Sequence, residues 1–114
     1  MAVTAIHRGL KEKLLDALVS TSDTKGASFA LPSSSSKKML TWQTYFATTA
    51  PGAVSIQLQV ALEDTDALYS VLDTSTSVDG ETRSVDPQSA LFVRARQVSR
   101  TGASSYTTVQ LVCS

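Results

Sequence analysis

Val54-Ser55-Ile56-Gln57-Leu58-Gln59-Val60-Ala61-Leu62 is the stretch on which the fold turns. Val54, Ile56, Leu58, Val60 and Leu62 alternate with Ser55, Gln57, Gln59 and Ala61, a period of two with one apolar and one wetter face. A helix turns each residue by about 100°, so it cannot hold those five side chains on one side. The segment is a strand that covers a core.

Working outward, turn signals and further strands follow in both directions. Upstream, Thr49-Ala50-Pro51-Gly52 is a turn. Before it, residues 39–48 carry Trp42, Tyr45 and Phe46 among β-favouring side chains. Residues 27–31 form a short strand closed by Pro32 and the run Ser33-Ser34-Ser35-Ser36. Downstream, Glu63-Asp64-Thr65-Asp66 turns into a strand at 68–72, and Asp79-Gly80 is a hairpin signal before a strand at 82–85. Asp86-Pro87-Gln88-Ser89 turns again into 91–96, where Leu91, Val93 and Ala95 face inward and Phe92, Arg94 and Arg96 outward. After the turn Arg100-Thr101-Gly102-Ala103, residues 106–113 close the domain with Val109 and Leu111 on one face. About seven short strands separated by turns predict an all-β antiparallel sandwich.

The first residues follow a different rhythm. Val3, Ile6, Leu10, Leu14, Ala17 and Leu18 recur at steps of three and four, which predicts an N-terminal amphipathic helix with Arg8, Lys11, Glu12, Lys13 and Asp16 on its other faces. The expected organisation is therefore a helical arm over residues 1–22 and a β-sandwich over 23–114. Burying the arm's Ile6/Leu10/Leu14/Leu18 stripe, in cis or on a neighbouring subunit, is worth about 1.5–3 kcal/mol per large side chain.

Composition narrows the function. A chain of 114 residues is one domain, and 42% apolar residues keep it clear of the disordered class. Ten basic residues balance ten acidic ones, so no long-range field draws in nucleic acid or an anionic membrane, and neutrality favours association. The charges in the first nineteen residues interrupt any signal-peptide core or membrane span, and the expected site of synthesis is the cytoplasm of the producing cell. Cys113 is the single cysteine, so no internal disulfide forms, and the expected role is that of a small buried hydrophobe.

The residues that carry chemistry are sparse. His7 is the one histidine and has no nucleophile at a recognisable spacing. Five glycines are scattered singly and cradle no phosphate, and no cysteine or histidine pair exists for zinc. No cofactor is expected. Glu63, Asp64 and Asp66 have the oxygens calcium takes, but lack the spacing of an EF-hand loop, so a solvated turn is the favoured reading. Arg94, Arg96 and Arg100 with Phe92 have the make-up of a nucleic-acid patch, against which stands pairing with Asp and Glu across strands or subunits. Trp42 with Tyr45 has the make-up of a sugar-stacking platform, against which stands packing in a core or interface. The residues expected at a partner interface are Ile6, Leu10, Leu14, Leu18, Trp42, Tyr45, Phe92, Arg94 and Arg96.

The order "VSIQLQVALED" (54–64), a turn, "LYSVL" (68–72), a polar hairpin, then "ALFVRARQVSRTGASSYTTVQLVC" (90–113) resembles the small β-sandwich structural proteins of tailed bacteriophage particles. Phe92-Val93-Arg94-Ala95, the Thr101-Gly102 turn and the closing strand match best. Glu63-Asp64-Thr65-Asp66 departs by having no glycine, and Leu68-Tyr69 stands where those proteins carry Trp. The pattern covers about half of the chain and excludes the N-terminal segment. The resemblance implies a non-enzymatic virion component, above all a capsid decoration (cement) protein, multimeric and bound to the major capsid protein or other virion subunits. A tail or connector subunit and a carbohydrate- or receptor-binding module are the alternatives.

Overall fold

The computed structural model describes residues 3–32, 38–102 and 104–114. The serine run at 33–36, Lys37 and Ala103 lie outside the described residues. Ten strands follow in order: β1 (Thr4–Ala5), β2 (Lys11–Leu18), β3 (Thr24–Lys25), β4 (Phe29–Ala30), β5 (Leu40–Thr48), β6 (Ala53–Ala61), β7 (Ser70–Ser75), β8 (Glu81–Val85), β9 (Phe92–Thr101) and β10 (Ser105–Cys113). One sheet runs β1-β4-β9-β6-β7 with β3 also on β9, and the other runs β2-β10-β5-β8. The seven expected strands are all there. The sandwich prediction holds.

The pairing partners reveal how the chain wraps. β2 pairs β10, β4 pairs β9, β5 pairs β8 and β6 pairs β7, all antiparallel. Those four pairs are nested, like one long hairpin whose tip is the β6–β7 turn. Rolling it up brings β10 onto β5 and β9 onto β6, which closes the two sheets. This is the strand order of a jelly roll. The Asp79-Gly80 turn forms, with Gly80 at φ 79°, but it crosses from one sheet to the other and joins no hairpin.

The helical arm is overturned. The described residues contain no α-helix, only a 3-10 turn at Asp66–Leu68. Residues 11–18 are instead an edge strand of the four-stranded sheet. Two features hid this. Register shifts against β10 put both Leu14 and Leu15 into the core, which erases the period of two. Gly9 at φ 79° closes a turn in which the Leu10 N–H donates to the His7 carbonyl, breaking the continuous helix that the apolar spacing suggested. The stripe splits accordingly. Ile6 and Leu14 are buried, Leu18 is half-buried, and Leu10 stands 60% exposed.

Between the sheets lie Trp42, Leu40, Ile56, Leu58, Val93, Ala95, Val109, Leu111 and Cys113. The alternation of β6 is realised in Val54, Ile56 and Leu58, with Val60 half-buried at the margin. Leu62 falls beyond the end of the strand and is exposed. Cys113 is fully buried, and burial pushes its thiol up from the ordinary range. Near one end the interior becomes polar. Arg100, from β9, is buried and donates to the carbonyls of Leu18 (2.8 Å) and Val19 (2.7 Å) and to the Thr107 hydroxyl (2.8 Å). Gln97 donates to the carbonyls of Ser20 and Ser22 and accepts from Thr107. Burial lowers the guanidinium's pKa, and its Nε has no partner among the described residues.

These two side chains serve the backbone of 18–22 in place of a sheet ladder. Arg100→Met should therefore destabilise the domain by at least about 2 kcal/mol, because charge-assisted bonds are lost and buried oxygens go unpaired. Urea denaturation measures the loss, and hydrogen exchange should show it first in 18–22. An unchanged midpoint would remove Arg100 as the tether.

Candidate functional site

The predicted interface residues scatter across the sandwich. Trp42 is fully buried on the inner face of β5, while Tyr45, on the opposite face, is 37% exposed. The two rings do not form a common surface, and Trp42 has no free face on which a sugar could stack. Leu10 and Tyr45 are open to solvent, Phe92 and Arg96 are half-buried, and Arg94 is buried. His7 is exposed. Among the described residues no group of three or more His, Cys, Asp or Glu could hold a metal ion.

The arginines are neutralised within the chain. On the outer face of the six-stranded sheet, Arg96 forms a two-bond pair with Asp23. Arg94 donates to Gln59 Oε1 (2.8 Å) and to Asp66 (2.7 Å), and its guanidinium lies 4.1 Å from the centre of the Tyr69 ring. Lys25 also reaches Asp66, and the Tyr69 hydroxyl donates to Asp64. Hydrogen bonds from Arg94 and Lys25 hold the Asp66 carboxyl below its usual range, and that from Arg96 does the same for Asp23. This cation–ring–carboxylate stack pins the connection between β6 and β7 onto the sheet. Arg100 points the other way, into the core.

A second ionic group closes the β7/β8 side of the sandwich. The Trp42 Nε1 donates to Asp73 Oδ2 (3.0 Å), which also receives Arg83 (2.8 Å). Arg83 continues to Glu81, and Glu81 accepts from the Ser75 hydroxyl (2.6 Å). The chain of bonds thus joins β5 and β8 of one sheet to β7 of the other. Burial raises the Asp73 pKa, but the bonds from Arg83, Trp42 and the Thr74 N–H outweigh it and the net shift is downward. Glu81 is lowered too, first by Ser75.

Carboxylates with depressed pKa stabilise the fold above their ordinary range near pH 4, and lose that contribution as the pH falls through their folded values. Stability measured by urea midpoint should hold from neutrality to about pH 4 and then decline. An Asp73→Asn variant should start lower at neutral pH and decline less steeply in acid. A variant curve parallel to the wild type would mean that Asp73 does not contribute to the acid limb.

What the pinned loop presents is apolar. Leu62 (68% exposed) and Leu68 (52%) stand in the connection that leaves the end of β6. Between them opens a groove of about 340 Å³, walled by Val60, Ala61, Leu62 and Leu68 on one side and by residues 87–90 on the other. Glu63 and Asp86, next in sequence to its Leu62 and Pro87, are exposed, as is Asp64. The sequence concealed this feature because Leu62 reads as the last inward residue of its strand and Leu68 as the first of the next. The Glu63-Asp64-Thr65-Asp66 turn was the available signal that both sit at a loop.

Fold and surface together define a small jelly-roll sandwich whose outer Arg94 and Arg96 are paired within the chain and which opens a mostly apolar groove beside Leu62 and Leu68. The structure is similar to the crystal structure of the SPBc2 prophage-derived protein YomS, with a TM-score of 0.61 over 92% of each chain and 17% sequence identity. At that identity the likeness shows a shared fold. No protein-family model matches the chain. No curated protein matches it in sequence.

Proposed function

We propose that this chain is a structural subunit of a tailed-phage particle, and specifically a capsid decoration protein that binds and stabilises the shell without catalysis. The observation that carries the reading is the fold shared, over 92% of each chain, with a protein of prophage origin. The jelly-roll order supports it, since viral capsid domains use that architecture. Lectins use it too, but the burial of Trp42 removes the sugar platform that the alternative reading relied on. The partners on this reading are the major capsid protein and further copies of the chain. Nucleic acid has little to grip, because Arg94 and Arg96 are already paired to Asp66 and Asp23. No helix among the described residues is long and apolar enough to cross a membrane.

Immunogold electron microscopy on particles from the producing lysate tests the assignment. Label spread over the shell is the expected result. Label confined to the tail or the connector would replace decoration by the tail or connector role, and particles free of the chain would end the virion reading.

A further inference from the structure

We infer that the groove beside Leu62 and Leu68 receives the β1–β2 turn of a second copy of this chain, with Leu10 as the inserted side chain. This contact is the self-association half of the assembly reading above and rests on it. Leu10 is 60% exposed and closes a turn through Gly9, whose N–H donates to the Cys113 carbonyl. Its surroundings are basic. Lys11 follows it directly and has no ion pair among the described residues, and Arg8 is anchored nearby by its bond to the Ser114 carbonyl. Residues 7–13 contain three Lys or Arg and one Glu.

The groove has the complementary character. Val60, Ala61, Leu62, Leu68 and Ala90 make its lining mostly apolar, with Ser70, Gln88 and Ser89 among them, and the exposed Glu63 and Asp86, next in sequence to its Leu62 and Pro87, meet no cation among the described residues. A basic loop with one exposed apolar side chain meets a mostly apolar slot beside which two exposed acids stand. Charge pairing beside such a slot sets register and speeds encounter, while the desolvated aliphatic contact supplies the affinity.

Topology prevents a single chain from making this contact with itself. The Leu10 turn leads into β2, at one edge of the four-stranded sheet. The groove lies toward the opposite edges, between the end of β6, the start of β7 and the connection that leaves β8. Three inter-strand spacings, roughly 14 Å, separate β2 from β8. Donor and acceptor surfaces are therefore different patches on opposite flanks, which makes the contact head-to-tail.

Sedimentation velocity on the full chain tests this, with two exposed-residue variants, Leu10→Asp and Leu62→Lys. Wild type should self-associate with rising concentration, and less so in high salt. Each variant should weaken association about thirtyfold or more, as loss of a central anchor does. A mixture of the two should form a heterodimer, because Leu10→Asp keeps its groove and Leu62→Lys keeps its Leu10 turn. A wild type that stays monomeric, a variant that associates normally, or a mixture that forms no heterodimer would each overturn the contact. A chain that labels particles yet remains monomeric refutes this contact alone, whereas one that self-associates but is missing from particles refutes the virion role alone.

Discussion

A chain lacking residues 1–20 will not fold. On the sequence-based expectation of a detachable helical arm, the same truncation would leave the sandwich intact. In the structure those residues supply Ile6, Leu14 and Leu15 to the core, and β2 covers one side of β10. Burial of three large aliphatic side chains contributes about 5–9 kcal/mol. A domain of this size is stable by about 5–15 kcal/mol in total. Truncation also removes the ladder along β10 and the Leu18 and Val19 carbonyls that satisfy Arg100, leaving a buried cation with little but Thr107. Circular dichroism with a thermal melt gives the answer directly. A truncated chain with a β spectrum and a cooperative transition would return the N-terminal segment to the status of an arm.

Trp42→Ala should have the next largest effect. Trp42 is the largest of the fully buried side chains, and its removal leaves a cavity between the sheets that the surrounding Leu and Val side chains fill only in part. Such substitutions cost about 3–5 kcal/mol. The indole also donates to Asp73, so its loss loosens the ionic group that joins β7 to β8. Trp42→Phe separates the two contributions, because it restores most of the apolar volume but not the N–H. The expected order of urea midpoints is wild type, then Phe, then Ala. Equal midpoints for Phe and wild type would show that the bond to Asp73 adds nothing to stability.

The contrast between β6 and β2 shows what could be read in advance. β6 has two hydrogen-bonded neighbours along most of its length, and through Val54, Ile56 and Leu58 its inward positions keep strict alternation. A strand so placed must carry its pattern in the sequence, since a slip by one residue would turn every side chain to the wrong face. β2 has β10 on one side only, and its bulges place adjacent leucines inward. Its four-residue apolar spacing is then indistinguishable from a helix unless Gly9 is given its full weight. The outer charges were legible as types. That Arg94 and Arg96 prefer carboxylates follows from composition, but Asp66 and Asp23 are 28 and 73 residues away, respectively, and only the fold makes them neighbours.

By itself, then, the sequence determined the β class, the seven principal strands, the burial of Cys113 and the neutrality that favours assembly. Periodicity and turn chemistry are local, and they act before any distant contact forms. The tertiary structure decided the nesting of the strand pairs, the conversion of the N-terminal segment into an edge strand, the inward turn of Arg100 and the groove beside Leu62. Each of these depends on which backbone hydrogen bonds and apolar surfaces find a partner far away in the chain, and a strand's partner is chosen by the closure of both sheets at once.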